Sequence, residues 1–240
     1  MYELFIEFYL RSFAVILPAM AIVVFAVNGK MAGLGFTQMG RLLVPLIAFL
    51  GLWYAFTTAM AKAGYLAPPP TFTDPPYILM FMFGGAGIFW AYVRYNSLAR
   101  QVMDQTGQIF LIGMQIPRFM GGVFLIGWMA GVIPWQFALP AGIGDMWAGW
   151  AALQATKALY NDAPNATKLV KRANIIGLLD FLVAVSTGLM SSDGFARVMA
   201  HGQVNIITDY PMVLFPGFFV PIFLAFHFFS IGKLRQTSKG

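Results

Sequence analysis

Along the 240 residues, apolar positions neither alternate with polar ones nor gather into a single helical stripe. They run on for about twenty residues at a time, the length that crosses a bilayer as a helix, and short polar stretches cut them apart. In lipid the backbone must satisfy its own hydrogen bonds, which leaves helices or closed barrels, and unbroken rather than alternating runs select helices. The pattern predicts an all-α integral membrane bundle of seven transmembrane helices in one domain, residues 1–240. The spans read as residue 4 to Val27, Leu42 to Ala61, Tyr77 to Val93, Ile109 to Gly131, Pro140 to Lys157, Ala173 to Met190 and Pro211 to Ile231. The fifth is expected to be short and loosely wound at its start, because Pro140, Gly142 and Gly144 crowd it.

The connections differ in character. LAPPPTFTDPP, after the second span, cannot be helical and should be stiff and extended. RYNSLARQVMDQTGQ reads as a polar link. In SSDGFARVMAHGQVNIITDY, Phe195, Val198 and Met199 are spaced to form one face of a short interfacial helix.

Composition sharpens this picture. The chain is 59% hydrophobic and 10% charged, with a mean hydropathy of +0.73. A soluble domain carries about 25% charged residues, so this one cannot cover a water-facing surface. The net charge of +6 is not read as a nucleic-acid footprint, because the basic residues sit in loops beside apolar runs. The connections after spans one, three and five, with the tail, hold Lys30, Arg41, Arg94, Arg100, Lys157, Lys168, Lys171, Arg172, Lys233, Arg235 and Lys239. The other connections hold only Lys62 and Arg197. That asymmetry predicts an N-terminus outside and a C-terminus in the cytoplasm, in a bacterial-type inner (plasma) membrane. The opening MYELFIEFYLRSF lacks a basic n-region, so the first run is expected to be a retained helix and not a cleaved signal.

Few polar groups fall at membrane depth, and each charged one costs about 2.5–3.5 kcal/mol when unpaired at the centre. Arg118 lies roughly 14 Å and Asp145 roughly 18 Å from the cytoplasmic side at 1.5 Å per residue, close enough for an arginine to bridge. Pro117 beside Arg118 frees a carbonyl, Gly121 and Gly122 admit a neighbouring helix, and Gln115 adds an amide. A second pair, Asp180 and His227, matches in depth on consecutive spans and would make a proton relay. Asn174, Ser186 and Thr187 are placed to extend it. Glu3, Glu7 and Arg11 recur every fourth residue, so Arg11 is expected to snorkel beside Glu7. Each pair also has a bland reading: a salt bridge tying two helices, or a structural hydrogen bond near the headgroups.

Several chemistries lack their residues. There is no cysteine, hence no thiolate metal site, disulfide or cysteine nucleophile. A retinal Schiff base needs a lysine in the middle of the last span, and Lys233 stands at its end. A bis-histidine haem fails because His201 lies in a loop on one side and His227 near the other. No cofactor and no metal are expected. No phosphate-binding or nucleophile-elbow motif occurs, so a catalytic role is not the expectation. The phrases FALPAGIGD, LLDFLVAVSTG and FVPIFLAFHFFS resemble small bacterial multi-pass membrane proteins, a resemblance that implies no activity.

The sequence therefore points first to a transporter- or sensor-like protein handling a small solute, ion or proton through Gln115, Arg118, Asp145, Asp180 and His227. The alternative is a non-catalytic accessory or assembly subunit of a larger membrane complex. An intramembrane enzyme acting on a lipid or quinone is a third reading, without a motif behind it. Expected partners are the bilayer, a small-molecule, lipid or proton ligand, and companion membrane subunits.

Overall fold

The computed structural model describes residues 2–237, with side chains from 4 to 236. Among these residues all regular structure is helical. The helices are α1 (Tyr2–Met31), α2 (Phe36–Lys62), α3 (Tyr77–Tyr95), α4 (Ser97–Gln105), α5 (Gln108–Gly113), α6 (Val123–Met129), α7 (Trp135–Tyr160), α8 (Ala166–Ser191) and α9 (Val220–Thr237). A seven-residue 3₁₀ stretch, Ile116–Gly122, joins α5 to α6, and a π turn, Phe215–Phe219, leads into α9. Six segments are long and apolar enough to cross a membrane: Leu4–Met31, Phe36–Lys62, Tyr77–Tyr95, Gln108–Met129, Ala166–Ser191 and Phe215–Gln236. The expected seven reduce to six by this measure, because α7 has the length but is diluted by glycine, tryptophan, proline and polar residues.

The α1–α2 hairpin is peripheral. α1 buries Leu10, Leu17, Ala21 and Phe25, and α2 buries Leu42, Leu46 and Leu50, each set at three-, four- or seven-residue spacing and so on one stripe. Their other faces are also apolar, with Leu4, Phe8, Val15, Val44 and Leu52 turned outward. A helix apolar all round suits lipid, where packing and not water exclusion holds neighbours together. α1 runs a turn past its expected end, because Asn28 is buried inside the last turn with its amide on the Val24 carbonyl at 2.8 Å. Gly33, at φ +75°, then supplies the left-handed turn that lets the chain reverse. The expected Arg11–Glu7 pair forms at 2.5 Å; the side chains of Tyr2 and Glu3, and Lys239 in the tail, lie outside the described residues.

α9 is the most enclosed span, and its start shows how a proline is accommodated. Pro221 has no N–H for the Gly217 carbonyl four residues earlier. Trp53 Nε1 and Thr57 Oγ1 of α2 donate to that carbonyl instead, at 2.9 and 3.3 Å. A peripheral helix is thereby tied to the central one through a bond that the helix itself cannot make.

Three connections depart from expectation. The polar link after α3 contains α4, capped by the Asn96 side chain accepting from Ala99 N and seated on buried Ala99, Val102 and Met103. The interfacial helix expected around Phe195, Val198 and Met199 does not form. Phe195 N donates to Pro69 O, while Val198 N and Met199 N both donate to Met190 O, so the segment spends these backbone donors on the loop after α2 and on the last turn of α8. α7 begins at Trp135, five residues before Pro140, because Pro134 takes the extended cap position and its carbonyl accepts from Phe137 N and Ala138 N. Pro140 then removes one interior bond from a helix of 26 residues, which α8 and the 3₁₀ stretch flank along its length.

Candidate functional site

The fourth membrane segment is not one helix. α5 ends at Gly113, and Pro117 cannot donate to the Gly113 carbonyl, so the chain tightens into the 3₁₀ stretch, in which Arg118 N bonds Gln115 O at 3.2 Å. This short, tightly wound piece carries Arg118 into the middle of the bundle, where the whole residue is sealed from solvent.

Every part of the guanidinium is engaged. Nε donates to Asp145 Oδ1 on α7 at 2.8 Å. Nη2 donates to Asp180 Oδ2 on α8. Nη1 donates to the Gly177 carbonyl at 3.0 Å and lies 3.4 Å from His227 Nε2 on α9. Cζ sits over the Phe181 ring, 3.8 Å from its centre. A planar, permanently charged fork is suited to such a site, and a lysine could not make these contacts together.

The expected pairing is thus redistributed. Arg118 meets Asp145, but it also takes Asp180, the residue matched by depth with His227. The imidazole turns its other nitrogen, Nδ1, to Asn174 Oδ1 at 2.9 Å. Since Arg118 can only donate, Nε2 accepts and the ring proton is assigned to Nδ1. From there the bonds continue in one direction. Asn174 Nδ2 donates to Ser230 Oγ at 2.8 Å, Ser230 Oγ donates to Gln108 Oε1 at 2.8 Å, and Gln108 Nε2 donates back to Ser230 O at 2.7 Å. The two candidate pairs are one network with the arginine as its hub.

Helical spacing explains which residues take part. Asn174, Gly177 and Asp180 follow every third residue along α8, and Phe223, His227 and Ser230 follow at four and three along α9, so each set shares a face. Gln108 and Gln115 lie two turns apart; Gln115 Nε2 holds the Phe223 carbonyl at 2.9 Å, beside the hub and not on it. Ser186 and Thr187 do not join. Their hydroxyls return to their own helix, at Leu182 O and Val183 O.

Three glycines make the room. A Cβ on Gly177 would run into the His227 ring and Arg118 Nη1, one on Gly121 into the Asp145 carboxylate, and one on Gly144 into the Asp180 carboxylate. From sequence, Gly121 admits a neighbouring helix and Gly144 loosens its own; only the opposed helix faces reveal what they and Gly177 accommodate.

On the other side of the carboxylates lies a cleft of about 690 Å³, its open mouth included. Asp145 and Asp180 form part of its wall at one end, and Pro68, Ser192, Ile207 and Thr208 from the connecting loops line the other. Between them the lining is apolar, with Phe124, Phe137, Phe181 and Phe215. Asp180 Oδ1 is buried and has no hydrogen-bond partner in the protein, in a residue only 8% exposed. Gln115 Oε1 is also buried and unpartnered.

Residues 75–235, more than half of the chain, match the family described as a domain of unknown function (DUF8737), and the chain belongs to that family. The match takes in α3 to α9 and thus every residue of the network. No curated protein and no solved structure is similar to the chain.

Proposed function

We propose that this DUF8737 member is a seven-span protein of a bacterial-type inner membrane that moves or senses a proton or small cation at the Asp145–Arg118–Asp180 centre. The observation that carries the reading is the charge count. Two carboxylates face one guanidinium, so with both acids ionised the centre holds one net negative charge around a fully buried arginine, and one cation neutralises it. Buried charge left over in this way is expensive, which favours a site that is loaded and unloaded over one that merely ties helices. His227 has a positioning role: it is fixed between Arg118 and the Asn174 amide, and an amide holds a ring without passing a proton. Access to the carboxylates is through the cleft.

The seven-span reading draws on the loops. The Ile206 amide bonds Val132 O and the Phe195 amide bonds Pro69 O, which groups the ends of α2, α6 and α8. Lys233 Nζ bonds the Asp104 carbonyl and Gln108 bonds Ser230, which groups the end of α9 with the α4–α5 connection. α7 must pass from the first group to the opposite side for α8 to return to it, and at 26 residues it spans about 39 Å. The excess of lysine and arginine on the second side makes that side cytoplasmic. A reporter active only outside the membrane, fused after Thr237, should therefore stay silent, and the same reporter in the 193–205 connection should be active. The reverse pattern would overturn the orientation.

Purified protein in liposomes loaded with a pH-sensitive dye tests the role of the centre. A proton or sodium gradient should relax faster than in empty liposomes, and Asp180→Asn should abolish the difference because it cancels the surplus charge. Wild-type liposomes no leakier than empty ones, or a D180N protein equal to wild type, would refute the transport reading.

A further inference from the structure

We infer that the cleft is a binding site for a small apolar molecule carrying one ammonium group, held with its charge on the Asp145 and Asp180 carboxylates. The inference rests on the cation-handling reading above and names the class of occupant.

Four features of the cleft agree on that class. First, two carboxylates at one end of it share a single guanidinium, and Asp180 Oδ1, packed against Gly144, is buried without a hydrogen-bond partner, which is costly. Second, each guanidinium nitrogen already donates, Nε to Asp145, Nη1 to Gly177 and Nη2 to Asp180, which holds the cation on its own acids and away from an incoming anion. The electrostatics of the centre therefore favour a donor with a positive charge over a carboxylate or phosphate. Third, a resident divalent ion such as calcium needs about six to eight oxygen ligands, and beyond the two carboxylates the lining near them is hydrocarbon. Fourth, the walls are apolar and aromatic, as in small-molecule sites, with a few polar groups at one end. Phe124, Phe137 and Phe215 are among its lining residues, and aromatic rings attract an ammonium as well as hydrocarbon.

The shape has a sequence cause. Asp180, Ala184 and Gly188 are four residues apart on α8, so they make one stripe leading from the carboxylate towards Ser192 at the other end. Small residues at 184 and 188 leave open the space that larger ones would fill. Pro216 and Val220, around the π turn, face it from the start of α9.

The test is calorimetric titration of the full-length protein in phosphatidylglycerol nanodiscs, where no lipid amine competes, with empty nanodiscs as the blank. Three probes share one apolar body: phenylbutylamine, phenylbutanol and phenylbutyrate. The amine should bind at least about tenfold more tightly than the alcohol, and the carboxylate should not bind. Asp180→Asn should weaken the amine by about tenfold or more and leave the alcohol unchanged. Ala184→Phe, which fills the cleft and touches no charge, should abolish binding of both. Adding phosphatidylethanolamine distinguishes the sources of the ammonium: a lowered apparent affinity for the amine makes a lipid headgroup the occupant, and an unchanged one makes it a free amine. Equal affinity for all three probes, or undiminished amine binding by folded A184F protein, would overturn the inference. Amine binding without cation flux would remove the transport reading alone, and flux without amine binding would remove this inference alone.

Discussion

Arg118→Met is expected to be the most damaging single substitution in the chain, costing about 3–5 kcal/mol, the usual penalty for breaking a buried ion pair from one side. The methionine fills much of the space but leaves Asp145 and Asp180 facing each other with no counter-charge, and it also removes the donor to the Gly177 carbonyl. Much of that cost comes from the stranded acids and not from the lost attraction. The triple variant R118M/D145N/D180N should therefore recover more than half of it. Thermal unfolding in a mild detergent, read by tryptophan fluorescence, measures both. A single variant as stable as wild type would mean that the network does not carry the charge balance drawn here. A triple variant no better than the single would mean that the arginine acts through packing alone.

The second large effect is steric. Gly177→Ala adds one methyl group on α8 where the His227 ring and Arg118 Nη1 already stand. Helix propensity alone favours the change by about 1 kcal/mol. Overpacking costs about 1–3 kcal/mol, and displacing the guanidinium strains charge-assisted bonds worth about 1.5–3 kcal/mol each, so the clash wins. Gly51→Ala on α2, where an added Cβ meets nothing within 4 Å, is the matched control and should be neutral or slightly stabilising. The two unfolding midpoints should move in opposite directions from a common wild-type value. If G177A tracks G51A, the close approach of α8 to the hub is wrong.

What could be read from the chain alone follows from how local each rule is. A long apolar run must be helical in lipid, so the all-helical membrane character, and most of the helices, were legible from hydropathy. Shared helix faces were legible as well, because three- and four-residue spacing puts Asn174 with Asp180 and Phe223 with His227. The ends were less so. Asn28 reads as a terminator and is a buried part of the last turn, and Pro140 reads as a start while Pro134 provides it. In both cases the deciding bond is made to a backbone group that hydropathy does not weigh.

Tertiary structure decided which faces meet. Depth along the membrane placed Arg118 near Asp145 and Asp180 near His227, but depth is one coordinate, and the rotation of each helix about its axis is another. For helices apolar on most sides, lipid imposes little rotational preference, so the opposing faces are chosen by close packing. Gly121, Gly144 and Gly177 let those faces approach, and that approach gives Asp180 to the arginine and leaves the imidazole to Asn174. From sequence, Arg118 was one member of one pair; in the fold it is the single hub on which both acids, the histidine and a backbone carbonyl converge.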